Sequence, residues 1–333
     1  MIQIEQVSFG YTGEEGTLWN VSMGIREGEC VLLCGESGCG KTTVTKLING
    51  LIPHFTEGCV LQGEVMAAGM QVAKTELYEL AKVIGSVFQN PKSQFFSLDT
   101  DGELAFGLEN EGILPEKIEQ RLDETIKSLE IEDLLHRNIF SLSGGEKQTL
   151  AFASVYAMNP AIYVLDEPTA NLDDEAIERL KKQIALLKKQ GHTVVIAEHR
   201  LYFLADLIDY AFYFKEGKLE ETFTGEAFRN LMDESRRKMG LRSLQEVTLQ
   251  LPKASKEILK EGLSVQGLSC GYKKNLAVIE NLSFSVPYGK VMAITGHNGT
   301  GKTTLTRCLC GLLKESAGKI VLDGKAVPGE VSP

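Results

Sequence analysis

Gly35-Glu36-Ser37-Gly38-Cys39-Gly40-Lys41-Thr42 reads G-x-x-x-x-G-K-T. It follows an apolar stretch, Cys30-Val31-Leu32-Leu33-Cys34, and precedes a segment with helical character, Thr43 to Leu51. Strand, glycine-rich loop and helix in that order form the setting of a phosphate-binding loop. Gly35, Gly38 and Gly40 let the backbone curl so that its N–H groups converge on phosphate oxygens. The helix that follows adds its positive end, beginning with Thr43. Lys41 then neutralises the β- and γ-phosphates, and Thr42 offers a hydroxyl to Mg²⁺. A nucleotide with Mg²⁺ is what this loop predicts.

The chain has 333 residues, which sets a soft prior of two domains. Hydrophobic residues make up 43% and charged residues 24%, an ordinary globular balance. A formal net charge of −10 argues against general nucleic-acid binding, which needs a basic surface. Cys30, Cys34, Cys39, Cys59, Cys270, Cys308 and Cys310 are scattered without paired CxxC units, so free thiols are expected rather than a zinc site. The N-terminus, Met1-Ile2-Gln3-Ile4-Glu5, has no basic region or apolar core of a signal peptide. No apolar run approaches the ~18 residues of a membrane span. If the protein serves a membrane process, other chains supply the membrane part.

Ile2 to Phe9 alternates like a half-buried strand and ends at Phe9-Gly10-Tyr11. Tyr11, ahead of the phosphate loop, is a candidate platform for adenine, because aromatic stacking tolerates any base. Leu18 to Ile25 is a further strand, Gly63-Glu64-Val65 starts another, and Glu76 to Lys82 has helical character. Val83 to Phe88 reads as a buried strand ending in Gln89, whose amide can reach a bound metal or water. Residues 99 to 136 carry helical spacing, with Pro115 opening the second piece. Leu142-Ser143-Gly144-Gly145-Glu146 opens an apolar helix through Met158, with Ser143 as N-cap and Glu146 three residues on, a capping box. Exposed, that helix end is a second anion site with small residues that allow close approach.

Ala161 to Leu165 is a buried strand ending in Asp166-Glu167. Two carboxylates at such an edge are costly without a cation. Asp166 is placed to hold Mg²⁺, and Glu167 to polarise an attacking water. Asn171-Leu172-Asp173 follows, and Asp174 to Gln190 reads as a charged helix. The strand His192 to Ala197 ends in Glu198-His199-Arg200, which brings His199 to the same edge as a γ-phosphate contact. Residues 226–260 read as a linker without a trusted motif.

The chain then repeats itself. Tyr272 mirrors Tyr11, and Gly296-His297-Asn298-Gly299-Thr300-Gly301-Lys302-Thr303 mirrors the first loop, both at an offset of 261. Gly296, Gly299, Gly301, Lys302, Thr303 and Thr304 are therefore second-loop candidates, with Thr303 the second metal-facing hydroxyl. A domain over 1–225, a linker and an incomplete second domain over 261–333 follow. The counterpart of Gln89 would lie beyond Pro333, so a C-terminal truncation is expected.

The set of Tyr11, Gly35 to Thr42, Gln89, Leu142 to Glu146, Asp166-Glu167, Asp173 and His199 resembles the nucleotide-binding domain of ATP-binding cassette (ABC) proteins over nearly all of residues 1 to 225. The segments Phe88 to Ser97 and Ala105 to Asn110 are similar to the ATPases of energy-coupling-factor importers, as is a duplicated single-chain design. Glu198-His199-Arg200 departs from the Thr-His-Asp of many cassettes. The resemblance implies an α/β fold of the P-loop NTPase class: a RecA-like mixed sheet, an antiparallel β subdomain and a helical signature subdomain, in tandem with a partial second copy. It implies ATP hydrolysis with Glu167, His199 and Gln89 as catalytic residues. Thr42, Gln89, Asp166 and Thr303 would face the metal. Tyr11, Tyr272, both loops, Ser143, Gly144, Gly145 and Asp173 would hold nucleotide. Two cassettes would sandwich ATP head to tail, so that Ser143 and Gly145 meet the γ-phosphate held at Lys302. A transmembrane coupling subunit and a substrate-binding membrane subunit would be the partners, with the chain peripheral on the cytoplasmic face. The alternative is a soluble translation-factor or DNA-repair ATPase. The first expects a long charged linker and a basic surface, and the second expects long heptads between loop and signature; the sequence has neither.

Overall fold

The computed structural model describes residues 1–11, 16–170, 172–245, 261–272, 276–296 and 299–326. Residues 12–15, Asn171, residues 246–260, residues 273–275, His297, Asn298 and residues 327–333 lie outside the described residues. The chain forms two units, Met1–Thr248 and Leu249–Pro333.

Unit 1 opens with β1 (Ile2–Gly10), β2 (Leu18–Ile25) and β3 (Cys30–Gly35). Then come α1 (Lys41–Ile48), the one-turn α2 (Leu51–His54), β4 (Val60–Ala67), β5 (Met70–Gln71), α3 (Leu77–Ala81) and β6 (Ile84–Val87). A helical block follows: α4 (Thr100–Asn110), α5 (Pro115–Leu129) and α6 (Gly144–Met158). The chain continues through β7 (Ile162–Asp166), α7 (Asp174–Lys189) and β8 (Thr193–Ala197). It ends with β9 (Tyr210–Lys215), β10 (Lys218–Thr224), α8 (Gly225–Arg229) and α9 (Asp233–Lys238). Unit 2 contains β11 (Glu261–Cys270), β12 (Ile279–Pro287), α10 (Lys302–Leu309), β13 (Glu315–Leu322) and β14 (Lys325–Ala326).

The central six-stranded sheet has the order β10-β9-β3-β8-β7-β6. Its strands run parallel from β9 through β6, and β10 pairs antiparallel. Both faces are covered, so residues 30–34 of β3, 162–165 of β7 and 194–197 of β8 read as unbroken apolar runs. Alternate residues go to opposite cores. Leu32, Leu165 and Ile196 pack with α6 and α7 side chains such as Phe152 and Ile184. Val31, Leu33, Val164 and Val195 pack with Val44 and Leu47 of α1 and with β1. A second, antiparallel sheet, β2-β1-β4-β5, closes that side. The result is a mixed parallel core, an antiparallel subdomain and a helical block.

Three boundaries differ from the sequence reading. The helix after the phosphate loop starts at Lys41, not Thr43, and stops at Ile48, because Gly50 takes a left-handed φ of 81°. The strand read as starting at Gly63 begins at Val60. Gly63 lies inside it, where the β1–β4 register shifts between Glu5 and Ser8. Its φ is 83°, and a Cβ there would overlap the carbonyl oxygens of Glu5 and Gln6, so only glycine fits this bulge. Finally, residues beyond 225, read as linker, pack on unit 1. Phe228 and Leu241 are buried in its core, and Tyr213 Oη donates to the Met239 carbonyl at 3.1 Å.

Gly63→Ala is expected to lower stability by about 1–3 kcal/mol through overlap and a disallowed φ. Gly24→Ala, with open space around it, should be neutral by comparison. Urea unfolding midpoints of the two variants check this; equal midpoints would contradict it.

Candidate functional site

The carboxyl ends of β3, β8 and β7 lie side by side, with Leu33 beside Ala197 and Ala197 beside Asp166. Ligand crevices of open parallel sheets form at such ends. The phosphate loop leaves β3 there. Gly35, Gly38 and Gly40 take φ values of 144°, 80° and 105°, which L side chains avoid. No acidic residue sits in the first turn of α1, so its positive end is unopposed. Lys41 is 3% exposed. Its ammonium donates to the Gly35 and Glu36 carbonyls at 3.1 and 2.9 Å and lies 3.6 Å from Cys39 Sγ. Thr42 Oγ1 donates to Asp166 Oδ1 at 3.0 Å.

Burial raises the Asp166 carboxyl to about 6; the Glu167 charge adds to this and the Thr42 bond opposes it. Glu167 takes a left-handed φ of 44°. Gln89 Nε2 donates to Glu167 Oε2 at 2.8 Å, and His199 Nε2 lies 3.2 Å from Oε1. Gln89, Glu167 and His199 come from three separate strand ends and meet here. Burial, then the Lys41 charge, lowers the His199 pKa, with Glu167 pulling the other way. The imidazole is thereby neutral near pH 7.

Glu198, which alters the flank of His199, is 3% exposed and fully engaged. Its Oε2 accepts from Thr169 Oγ1 and N at 2.7 and 3.2 Å, and its Oε1 from the His199 and Arg200 amides at 2.6 and 3.0 Å. Arg200 donates to the Leu172 carbonyl at 3.2 Å. The two departures from Thr-His-Asp thus tie the His199 loop to the segment that follows Glu167. Sequence inspection registered them only as substitutions.

Ser143 caps α6 through a complete capping box with Glu146. Arg137 Nη1 fixes that glutamate at 2.6 Å. Gly144 and Gly145 form the first turn, and a Cβ at Gly145 would sit 3.2 Å from Ala176 Cβ. Asp173 accepts from the Ala176 amide at 3.1 Å as the N-cap of α7. Tyr11 is 37% exposed, with its hydroxyl 3.2 Å from Thr43 Oγ1 and the Lys46 ammonium 5.8 Å from its ring centroid.

Within unit 2, Gly296, Gly299 and Gly301 take φ values of 145°, 85° and 93°. Lys302 Nζ donates to the Gly296 carbonyl at 2.6 Å. Lys302, Thr303 and Thr304 open α10. Tyr272 bonds Thr304 and Arg307, which hold its phenol below the usual range. The same pairings occur at positions 261 lower, Tyr11 with Thr43 and Lys46.

Comparison with known proteins agrees with this geometry. The ABC transporter family profile matches residues 18–170 and 279–332. The chain belongs to the ABC transporter family. ATP hydrolysis is the characteristic activity of its cassettes. An ABC transporter ATP-binding protein of Treponema denticola is 44% identical over 97% of this chain and 67% of its own length. A Bacillus subtilis protein named as an HMP/thiamine import ATP-binding protein, YkoD, is 34% identical over 97% of this chain. This chain spans 63% of YkoD. Among solved structures, CbiO1 of Clostridium perfringens, part of the ABC transporter complex cbiONQ, superposes with a TM-score of 0.62 at 29% identity. That match covers 72% of this chain and 94% of CbiO1. The cassette MJ0796, solved as a dimer bound to ADP and Pi, gives a TM-score of 0.59 at 28% identity, over 67% of this chain and 98% of its own.

The raised Asp166 pKa makes a stability prediction for the ABC cassette without ligands. The folded state holds the Asp166 proton more tightly than the unfolded chain, from 3.8 up to about 6. The folded protein therefore loses stability as pH rises through that window. Asp166→Asn keeps an acceptor for Thr42 and removes the charge. It is expected to raise the nucleotide-free melting temperature at pH 8, by the equivalent of roughly 1–3 kcal/mol, and to leave it unchanged near pH 4. Calorimetry at the two pH values checks the difference.

Proposed function

We propose that this chain is the ATP-hydrolysing motor of an energy-coupling-factor-type importer. It would power uptake of a vitamin, vitamin precursor or transition metal ion through separate membrane subunits. The observation that carries the motor assignment is Glu167 held between Gln89 and His199 beside the phosphate loop. The likeness to YkoD and CbiO1 supports the importer type.

Lys41 and the loop amides bind the β- and γ-phosphates. Glu167 takes the proton of the attacking water, while Gln89 and His199 hold its carboxylate in place. Tyr11 and Tyr272 stack on adenine. Ser143, Gly144 and Gly145 present the α6 end to the γ-phosphate of a paired cassette, within a longer chain or between chains. Unit 2, with Lys302, Thr303 and Thr304, is read as the start of a second cassette. The donors fit Mg²⁺: within unit 1, Thr42, Asp166 and Gln89 offer hydroxyl, carboxylate and amide oxygens, Thr303 is the corresponding hydroxyl within unit 2, and a cation would favour the charged form of half-buried Asp166, whose pKa burial raises to about 6. Mg²⁺ bound by them would neutralise phosphate charge.

Among the described residues no helix is long and apolar enough to cross a membrane. The proposed location is peripheral, on the cytoplasmic face, held by a transmembrane coupling subunit that works with a substrate-binding one; the likeness to CbiO1, part of a transporter complex, supports it. An apolar groove of about 460 Å³ between α3, α4 and α6 supports such docking; Tyr78, Phe96, Phe106 and Met158 line it. Phe96 is 73% exposed and stacks on Phe106 at 4.7 Å. Gly107 keeps the floor open, since a Cβ there would meet Met158 Sδ at 2.5 Å. The occupant we assign is a short apolar helix of the coupling subunit.

Glu167→Gln should leave ATP binding intact and slow hydrolysis by roughly 10²–10⁴ in the assembled transporter. Near-normal turnover would remove Glu167 from the general-base role. Fractionation tests the partner assignment. The wild-type chain should pellet with membranes, and Phe106→Asp should move it to the supernatant with ATP binding retained. Cosedimentation with ribosomes would favour the translation-factor alternative instead.

A further inference from the structure

A cavity of about 370 Å³ opens beside the phosphate loop, and part of its wall comes from outside the cassette motifs. Gly35, Glu36, Ser37, Glu167 and His199 form one side. Gly240, Leu241 and Arg242, from the segment after α9, form the other. This segment is fastened like a strap. Tyr213 Oη donates to the Met239 carbonyl at 3.1 Å, and Arg236 Nη1 to the Leu241 carbonyl at 2.8 Å. Leu241 is 7% exposed in the main core. Gly240 lies against the Glu36 side chain with a φ of 67°, a backbone conformation that favours glycine where the strap approaches the loop.

The fastening delivers Arg242 to the cavity wall. The other charged groups of that wall are largely engaged. All four close donors to Glu198 come from Thr169, His199 and Arg200. Glu167 is shared between Gln89 and His199. Among the described residues, no hydrogen bond or ion pair holds the Arg242 guanidinium. It stands close enough to His199 for its charge to act on the imidazole. A guanidinium on the open wall of a phosphate pocket favours the oxyanions of the outermost phosphate, beside those that Lys41 reaches.

We propose that Arg242 binds the terminal phosphate of a nucleoside triphosphate, from a strap that lies outside the cassette motifs. The proposal rests on the nucleotide reading above and adds a residue that discriminates ATP from ADP. It also places the root of the segment leading to unit 2 in contact with the phosphate that hydrolysis removes.

The test compares ATP and ADP dissociation constants for the whole chain by calorimetry, for wild type, Arg242→Gln, Arg242→Lys and Lys41→Ala. Arg242→Gln should weaken ATP by roughly tenfold and leave ADP unchanged. Arg242→Lys should recover part of the loss. Equal weakening of ATP and ADP would mark a structural role and overturn the proposal. So would an unchanged ATP/ADP ratio in Arg242→Gln while Lys41→Ala loses both nucleotides, which leaves the nucleotide reading standing. If Lys41→Ala changes neither affinity, the nucleotide reading fails and the proposal with it.

Discussion

A buried ammonium governs the site. Lys41 is almost wholly enclosed, yet its charge rests on carbonyl oxygens of its own loop and on a cysteine sulfur. Carbonyl dipoles compensate a cation only partly, and burial of charge is costly without a counter-charge. The loop therefore holds positive charge in reserve, with the α1 end adding to it. A polyphosphate supplies what is missing. Across β8 the opposite problem exists: Asp166 is half-buried with a hydroxyl as its close partner, and burial raises its pKa to about 6, so its negative charge is disfavoured there. Both defects are relieved by one ligand, a triphosphate with its cation. Sheet topology sets this up by ending β3, β8 and β7 at one level.

The elements that bury most apolar area were the ones legible in sequence. The runs at 30–34, 162–165 and 194–197 are apolar at every position because both faces are covered. Ser143 and Pro115 announced helix starts through local chemistry and do so in the structure. The approach of His199 to Glu167 was also legible, since each follows a strand of one sheet edge, whereas Gln89 joined them only through the family resemblance. Gly63 was misread for a physical reason. A glycine inside a strand and one before a strand look alike in sequence, and only the β1 carbonyls facing it distinguish them.

What stayed hidden depends on contacts far apart in sequence. The strap from 239 to 242 has no periodicity and no motif. Its place is fixed by Tyr213, by Arg236 folding back on Leu241, and by the fit of Gly240 against Glu36. Glu198 was visible as an oddity, but its four donors come from two loops that sequence cannot bring together.

The two units separate local from global determinants. In unit 1 the Gln6 amide donates to Ser22 Oγ at 2.9 Å and the Asn20 amide to Ser8 Oγ at 3.0 Å. In unit 2 the Gly267 amide donates to Ser283 Oγ at 2.8 Å and the Asn281 amide to Ser269 Oγ at 3.0 Å. Gly318, like Gly63, fills a bulge where a Cβ would overlap two carbonyls. The phosphate-loop glycines repeat their φ values within about ten to fifteen degrees. Yet the unit 2 core among the described residues is a small cluster around Val265, Leu268 and Leu305, without the parallel sheet that fixes unit 1. Loop and hairpin geometry is thus written in nearby residues and survives in either surrounding. The charge arrangement around Glu167 needs the whole parallel sheet, because strands distant in sequence must end at one level before Gln89 and His199 can reach one carboxylate.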